Sequence, residues 1–257
     1  MKPTYRVILL AGGFAPWLKP LAGTDIRCLA EVNHKPLLEY IVTALYQSQR
    51  VRSILVVAPE QALSALAAVV PKGVSVCAAG DNLPHTAGRA LDVLQAAAAE
   101  RILFVCDDIP LLTAAAVEDF LQQCEHHPDK EAFYPIIPRE ACEKAFPQVK
   151  RTYGRLKDGV FTGGNMMLLS AGMVRGTMQQ GEECFAMRKS PLKLCRWLGL
   201  GFICRLFLHL LDTHQVQERV SELMGFPCQV IISQFAELGV DVDKPSDWDL
   251  IQEQLRK

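Results

Sequence analysis

Strand-like and helix-like segments alternate through the first half of the chain, and this alternation restricts the fold more than any other feature. The strand-like segments read YRVILLAGG, RSILVVAPE, GVSVCAAG and RILFVCDDIPLL, each with an apolar centre. Between them, segments such as KPLLEYIVTALYQSQ and the alanine-rich TAGRALDVLQAAAAE are predicted helices. Strands without a polar face belong to parallel sheets that helices cover on both sides. We therefore predict an α/β fold with three layers, α/β/α, around a mostly parallel sheet.

The alternation stops near residue 131. EAFYPIIPRE and CQVIISQF predict further strands, RTYGRLKDGVFTGGNMMLLS predicts a hairpin, and the last ten residues predict a helix. Residues 172–225 have a largely helical pattern. Since no repeat or low-complexity linker divides the sequence, we predict one domain over residues 1–257 with a helical insertion at about 172–225.

Composition argues against several classes of function. The net charge of −1 lacks the basic excess of a nucleic-acid-binding domain, so we predict no nucleic acid partner. The nine cysteines form no CxxC pair, which favours reduced thiols in a cytoplasmic protein over a zinc site. The apolar run near the N-terminus is too short for the core of a secretory signal.

The most hydrophobic stretch, WLGLGFICRLFLHLLD at 197–212, is interrupted by Arg205 and His209. It is shorter than the ~18 apolar residues of a membrane-spanning helix. A helix that is buried or faces a partner is the first interpretation. The alternative is a helix on a membrane surface, because four basic residues lie between positions 188 and 196. A dimer surface and a substrate lid remain open, as does the oligomeric state.

Two glycines, Gly12 and Gly13, follow the first predicted strand. Backbone N–H groups in a glycine-rich turn form a concave donor surface that suits phosphate oxygens, and Arg27 and Lys35 would supply positive charge. The turn matches neither GxGxxG nor GxxxxGK[ST], which argues against a dinucleotide-binding fingerprint and a P-loop. A tight turn with solvated basic neighbours is the alternative.

Aspartates follow apolar segments at two distant places. Asp107 and Asp108 end one predicted strand, while Asp241 and Asp243 alternate on a predicted short strand and would share a face. Carboxylates of this kind suit Mg²⁺, which one or two protein carboxylates and substrate phosphates usually hold. The sequence therefore predicts a metal site built from two segments.

Helix capping is the competing explanation for these acidic residues. Thr113 is the predicted cap of the helix after Asp108, so that helix does not need the aspartate. Ser246 and Asp249 form a predicted S-x-x-D pair for the last helix. Capping leaves Asp241 and Asp243 unexplained.

Four short motifs in this order resemble those of a known family. They are LAGG at 10–13, DDIPLL at 107–112, TGGN at 162–165 and DVDKPSD at 241–247. Together they resemble nucleotidyltransferases with the nucleotide-diphospho-sugar transferase (GT-A) fold, and in particular the molybdenum-cofactor nucleotidyltransferase-like NTP transferases. The resemblance spans most of the chain except about 172–225. It implies an Mg²⁺-dependent enzyme that transfers an NMP from an NTP to a small phosphorylated acceptor and releases pyrophosphate.

The resemblance also implies roles for individual residues. The nucleotide would lie on the turn formed by Leu10, Ala11, Gly12 and Gly13. Gly164 and Asn165 would line the acceptor side. The implied catalytic residues are Arg27, Lys35 and Asp108, and the implied metal ligands are Asp108 and Asp243.

The chain departs from the family pattern at two places. The loop GGFAPWLKPLAG has no arginine before Arg27, and His34 replaces the glycine of the family's GKP turn. Two alternatives therefore stay open. One is a module of this fold that binds a nucleotide or sugar nucleotide without turnover. The other is a sugar-nucleotide-dependent glycosyltransferase, which would need a DxD motif where this chain has CDDIP.

Overall fold

The structure is a computed structural model that describes residues 2–187 and 197–256. Cys184, Cys195 and the basic residues of 188–196 lie outside the side chains that it describes. Within the described ranges, no helix has the length and hydrophobicity needed to cross a bilayer.

The described strands, in chain order, are β1 Tyr5–Leu10, β2 Glu31–Val32, β3 Lys35–Pro36, β4 Val51–Ala58, β5 Val74–Ala78, β6 Arg101–Cys106, β7 Ala132–Pro138, β8 Gly154–Leu156, β9 Gly159–Gly163, β10 Met166–Ser170 and β11 Cys228–Ile232. The α-helices are α1 Lys19–Ala22, α2 Leu37–Gln47, α3 Leu63–Val69, α4 Leu83–Val93, α5 Ala114–Glu125, α6 Arg139–Ala145, α7 Ala171–Gly176, α8 Met178–Met187, α9 Leu200–Phe207, α10 Thr213–Met224 and α11 Pro245–Leu255.

Nine strands form one mixed sheet in the order β5-β4-β1-β6-β10-β7-β9-β8, with β11 also paired to β7. The four strands from the alternating half of the sequence, β5, β4, β1 and β6, are parallel to one another. Strand β10 runs antiparallel to both β6 and β7. The predicted α/β fold is confirmed, and the parallel half brings the carboxyl ends of β1, β4 and β6 to one edge.

Side chains from neighbouring positions of β1 enter two different cores. Val7 and Leu9 pack in the core that contains α2 and α5, whereas Ile8 packs in the core that contains α4 and α7. All three side chains are fully buried. Helices therefore cover both faces of the sheet, which gives the predicted three layers and explains why the strands lack a polar face.

Strand β7 contains a proline although it lies inside the sheet. Pro135 falls between the residues that pair with β10, which end at Phe133, and those that pair with β9, which begin at Ile136. A proline lacks the N–H group that a continuous ladder of hydrogen bonds requires. Because β7 changes from one partner strand to the other at Pro135, no ladder hydrogen bond needs that N–H group. The Pro135 carbonyl accepts a hydrogen bond from Gly164 N–H at 2.9 Å.

The alanine-rich helix is shorter than its sequence predicts. Helix α4 starts after Asn82, whose side chain accepts the His85 N–H at 2.8 Å, and Gln95 adopts a left-handed φ of 50° just after the helix. The Ala98 carbonyl instead accepts the Gly172 N–H at 2.8 Å. Tertiary hydrogen bonds have replaced the helical ones that local propensity favours.

Of the two forms predicted for the apolar stretch at 197–212, the buried helix is wrong, while a helix that faces a partner stays a prediction. Helix α9 forms there, but none of its residues is buried. Leu211, just after it, is the buried residue of this stretch. Apolar composition alone does not determine whether neighbouring elements cover a helix.

Candidate active site

The glycine turn and the first aspartate pair lie side by side because β1 and β6 are adjacent parallel strands. Leu10, the last residue of β1, is in register with Cys106, the last residue of β6. The next residues of each strand therefore leave the sheet at the same edge. Gly13 N–H approaches the Asp107 carboxylate at 3.4 Å.

Arg27 occupies the centre of this edge. Its Nη2 atom lies 2.8 Å from an Asp107 oxygen and 3.2 Å from an Asp108 oxygen. Its Nη1 atom lies 3.0 Å from an Asp243 oxygen and 3.2 Å from the Val242 carbonyl. One guanidinium thus joins carboxylates from two segments that are far apart in the sequence.

The second glycine of the turn is required by Arg27. A Cβ atom at Gly13 would lie only 2.6 Å from Arg27 Nη2, while the Arg27 N–H donates to the Gly13 carbonyl at 3.0 Å. A Cβ atom at Gly12 would have no neighbour within 4 Å. Gly13 therefore makes room for a protein cation, whereas Gly12 borders open space that a ligand could occupy.

Residues 241–243 reach the site without forming the short strand that was predicted. Val242 N–H donates to the Asp108 carbonyl at 2.9 Å, and Val240 and Val242 are buried. This single hydrogen bond takes the place of a strand ladder. Side chains still alternate in direction along the segment, so the two valines enter the core and the two aspartates point away from it. Asp241 and Asp243 contact different cations, since Asp241 pairs with Arg151 at 3.0 Å and Asp243 pairs with Arg27.

The two predicted helix caps have different outcomes. Thr113 accepts the Ala116 N–H at 3.1 Å, so the predicted cap of α5 is confirmed. At α11 the predicted Ser246–Asp249 pair is wrong, because the Asp247 carboxylate accepts the N–H groups of Asp243 and Lys244, both at 3.1 Å. Asp247 therefore fixes the backbone of a candidate site residue as well as the helix start.

Burial dominates the electrostatics of Asp108. Desolvation raises its pKa to about 7, although Arg27 opposes the rise, and Asp107, Asp241 and Asp243 add to it. Burial also raises the pKa of Asp243. Burial lowers the pKa of Arg27, but the surrounding aspartates raise it overall and keep the guanidinium charged.

The carboxylates suit a divalent cation. One oxygen of Asp108, Oδ1, is buried and has no hydrogen-bond partner in the described part of the chain. The Asp243 side chain is more than half exposed and faces the same guanidinium. No group of three or more acidic, histidine or cysteine side chains arranged for a metal occurs among the described residues. Two carboxylates with an unused oxygen fit Mg²⁺, which takes its other ligands from phosphates and water.

Lys35 lies apart from these carboxylates. Its amino group is 3.3 Å from Glu39 and 4.7 Å from the centre of the Tyr40 ring. Both contacts are with α2, and no contact within the described residues joins Lys35 to the aspartates. Its predicted catalytic role stays a prediction.

Gly164 and Asn165 lie next to the end of β6. The Asn165 carbonyl accepts the Cys106 N–H at 2.9 Å, which places Asn165 beside the strand that leads into Asp107. Its amide nitrogen Nδ2 is buried and has no partner among the described residues. A Cβ atom at Gly164 would lie 2.9 Å from Pro135 Cγ, so close packing requires this glycine.

Two further side chains complete the site: Asp107, which was predicted only as part of the acidic strand end, and Arg151, which was not predicted. Asp107 is almost fully buried and makes the shortest contact with Arg27. Arg151 pairs with Asp241 and also approaches the Thr162 hydroxyl at 3.4 Å. The neighbouring aspartate could have indicated Asp107, but no local pattern connects Arg151 with position 241.

A cavity of about 130 Å³ adjoins the glycine turn. It lies at the carboxyl ends of β1 and β4, where ligands bind in open α/β sheets. Most of its wall is apolar, and Asp25 and Gln61 are its lining residues with polar side chains. The other lining residues include Ala11, Gly12, Gly13, Phe14 and Ile26.

The fold and this site define a nucleotidyltransferase of the GT-A-like class. The structure aligns with a hypothetical transferase from Thermus thermophilus at 32% identity and a TM-score of 0.83, covering 96% of this chain and 99% of that one. A 2-C-methyl-D-erythritol 4-phosphate cytidylyltransferase, also from Thermus thermophilus, aligns at 15% identity and a TM-score of 0.56, over 99% and 100% of the two chains. A CMP:2-keto-3-deoxy-manno-octonic acid synthetase complexed with CTP aligns at 14% identity and 0.55, over 99% of each chain. These last two show the fold alone.

The family model for the MobA-like NTP transferase domain matches residues 7–183. This chain belongs to that family, and the predicted resemblance and enzyme class are confirmed. Comparison with curated proteins returned no match.

Proposed function

We propose that this protein transfers an NMP from an NTP to a small phosphorylated acceptor in an Mg²⁺-dependent reaction that releases pyrophosphate. The observation that carries the proposal is the meeting of Asp107, Asp108 and Asp243 on one guanidinium beside the Gly12–Gly13 turn. The sheet edge thus combines acidic side chains, a fixed cation and an open backbone turn in one place.

The chemistry needs positioning and charge neutralisation. An acceptor phosphate oxygen forms a bond to the α-phosphorus, the bond to the bridging oxygen breaks, and its electron pair leaves with pyrophosphate. Arg27 supplies a positive charge that three aspartates hold in place, so little reorganisation is needed when charge develops. No covalent intermediate is required, and burial raises the pKa of the nearby Cys106 thiol to about 12, which leaves it protonated.

Asp108 and Asp243 are the residues that would hold Mg²⁺. When bound, the ion would neutralise phosphate charge and act as a Lewis acid. The unpaired Asp108 oxygen supports this assignment. On the acceptor side, the unpaired amide of Asn165 offers a hydrogen-bond donor next to β6.

The cavity beside Gly12 supports a nucleotide donor. Its apolar wall suits the faces of a base, and the lining residues Asp25 and Gln61 have side chains that can hydrogen-bond a base edge. The open position of Gly12 leaves the backbone accessible to phosphates.

The Gly12→Ala substitution tests this placement. We expect unchanged melting of the free protein, because the new Cβ meets no neighbour, but a loss of the stabilisation that the correct NTP gives with Mg²⁺. Thermal unfolding with each NTP, with and without Mg²⁺, measures both effects and identifies the donor base. Gly176→Ala is the matched control, since its Cβ also meets open space in α7, away from the site. An absence of NTP stabilisation in the wild type would reject the proposal.

A binding module without turnover is the second candidate. It is favoured by the contacts of Arg27, which already neutralises the carboxylates that would hold the metal. Stabilisation by Mg²⁺–NTP, with no pyrophosphate released from the NTP when any sugar or polyol phosphate is added, would favour the module over the enzyme.

We also propose a cytoplasmic, single-domain protein. The seven cysteines whose side chains are described are all free thiols, which supports a reducing compartment. Helices α7 to α10, described between residues 171 and 224, support the proposal of a helical insertion at about 172–225.

A further inference from the structure

Arg27 places a positive charge against both of the proposed metal ligands. Its Nη2 atom lies 3.2 Å from one Asp108 oxygen, and its Nη1 atom lies 3.0 Å from one Asp243 oxygen. One oxygen of each carboxylate is therefore already occupied by the same guanidinium. Asp108 Oδ1 is buried and has no hydrogen-bond partner among the described residues, so it is the oxygen that remains for an ion. An ion bound there is repelled by the guanidinium, and the repulsion is strong where little water separates the charges.

The guanidinium is fixed in this position. Its side chain is only 14% exposed, and Nη2 contacts the almost fully buried Asp107 at 2.8 Å. Nη1 also donates to the Val242 carbonyl at 3.2 Å. Since these contacts hold the charge in place, an ion at Asp108 and Asp243 has to bind beside it.

A different part of the Arg27 side chain borders the glycine turn. A Cβ atom at Gly13 would lie 2.7 Å from Arg27 Nε and 2.8 Å from Cζ. Nε is buried and has no partner in the part of the chain that the structure describes. The space beside Gly12 is open, and phosphates placed there would bring negative charge close to the guanidinium. Arg27 thus lies between the place proposed for the phosphates and the place proposed for the ion.

We propose that Arg27 acts as an internal counter-ion that keeps the metal site weak until a nucleotide supplies its phosphates. In the nucleotide-free protein, the guanidinium opposes the attraction of the two carboxylates for Mg²⁺. The phosphates of an NTP carry more negative charge than the guanidinium offsets, and they add oxygen ligands for the ion. The metal is therefore bound tightly only together with the nucleotide. This inference rests on the proposed function, because it assigns a form of control to the same site.

Titration of the nucleotide-free protein with Mn²⁺, followed by EPR of the free ion, tests the effect of Arg27. Mn²⁺ prefers the same oxygen ligands as Mg²⁺. At pH 8, above the pKa of about 7 that burial gives Asp108, Arg27→Gln should bind Mn²⁺ about tenfold more tightly than the wild type. Arg27→Lys keeps the charge and should stay within about threefold of the wild type. Arg52→Gln is the matched control for the loss of an arginine, since Arg52 pairs with Glu100 and makes no contact with the aspartates of the site.

Calorimetric titration of the wild type with the NTP that stabilises it most, in saturating Mg²⁺ and in EDTA, tests the other half of the proposal. If phosphates strengthen the ion site, linkage requires Mg²⁺ to strengthen NTP binding by the same factor, and we expect about tenfold or more. Equal NTP affinities in Mg²⁺ and EDTA would overturn the proposal, and this measurement does not depend on the folding of a variant.

The Mn²⁺ titration gives two further grounds for rejection. A wild type that binds Mn²⁺ without nucleotide as tightly as Arg27→Gln does would show that the guanidinium does not weaken the site. An equal gain in Arg27→Lys would show that charge is not the cause. Absence of NTP binding in both buffers would reject the proposed function, whereas the nucleotide-free titration would still decide whether Arg27 weakens the ion site.

Discussion

At the scale of single residues, Asp108 bears the largest electrostatic cost of the candidate site. Its carboxylate is removed from water, and its contact with Arg27 only partly offsets that loss. Arg27 divides its two terminal nitrogens among three aspartates and a backbone carbonyl. The site therefore keeps a partly compensated negative charge, which is the condition under which a metal ion would bind.

The pKa of Asp108 predicts how the stability of the metal-free protein depends on pH. The folded state retains a proton up to about pH 7, whereas the unfolded chain releases it near 3.8. Folding stability is therefore greatest below the unfolded pKa and falls as pH rises through the folded pKa. The shift corresponds to a loss on the order of 4 kcal/mol.

Urea unfolding of the wild type and Asp108→Asn at a series of pH values measures this loss. The variant cannot ionise at position 108, so the difference between the two free energies of unfolding should grow from pH 4 to pH 7 and then level off. Both proteins contain the carboxylates that affect stability in the opposite direction, such as Glu100, whose pKa is lowered by Arg6. Their contribution to the free energy of unfolding therefore cancels in the difference. Parallel pH curves for the two proteins would contradict the burial argument.

At the scale of elements, the start of α11 connects helix stability with the geometry of the site. The Asp247 carboxylate binds the backbone of Asp243 and Lys244, so the last helix orients the segment that brings Asp243 to Arg27. Trp248 and Ile251 of the same helix are buried against Val240 and Val242. Apolar packing thus holds Val240 and Val242 in place, and the helix cap holds the backbone of Asp243.

Asp247→Ala should lower the free energy of unfolding by about 1 kcal/mol, because it removes the cap and leaves two N–H groups without their acceptor. Asp249→Ala is the control from the same helix, and it should change stability by less than about 0.5 kcal/mol. Chemical denaturation of both variants provides the measurement. Equal losses of free energy of unfolding in the two variants would contradict this assignment and favour a cap formed by Ser246 and Asp249.

At the scale of the whole molecule, charged clusters lie at both ends of the parallel strands in the part of the chain that the structure describes. The cluster at the carboxyl ends centres on Arg27 and opens to the cavity. The more buried cluster at the amino ends centres on Arg50, which is 1% exposed, pairs with Glu118 and Glu125, and donates to the Pro3 carbonyl at 2.9 Å. Only the first cluster borders the glycine turn, so we assign function to it and stability to the second.

Arg50→Ala should destabilise the protein by about 1–3 kcal/mol, because it removes the charge-assisted contacts of a buried side chain with the partly exposed Glu118 and Glu125 carboxylates and its hydrogen bond to the Pro3 carbonyl. The neighbouring Arg52 is half exposed and pairs with Glu100, so Arg52→Ala should cost less than about 1 kcal/mol. Thermal and urea unfolding compare the two variants. Stabilisation of Arg50→Ala by NTP should persist, and its loss would show that the two ends of the sheet are coupled.

Much of this organisation could be predicted from local patterns. Each parallel strand ends where its apolar run meets glycine, proline or aspartate, so β1, β6 and the edge to which they lead followed from residue order. Thr113 also capped α5 as predicted. These features depend on residues within a few positions of one another, and local sequence contains that information.

The contacts that complete the site could not be predicted in this way. Arg27 was predicted to touch phosphates, yet its partners at 107, 108 and 243 depend on how the last segment returns across the sheet edge. The pairing of Arg151 with Asp241 depends on the same return path. For α9, hydropathy indicated an apolar helix but not which neighbours would leave it uncovered.

The amino-acid sequence by itself determined the alternation of elements, the parallel half of the sheet, and the glycine and acidic ends of its strands. These follow from the periodicity of apolar residues and from backbone preferences, which act over short distances. Only the tertiary structure decided that one guanidinium joins three aspartates, that Gly13 makes room for it, and that α9 stays exposed. Those outcomes depend on distances between segments up to 216 positions apart, which the packing of helices on both faces of the sheet sets.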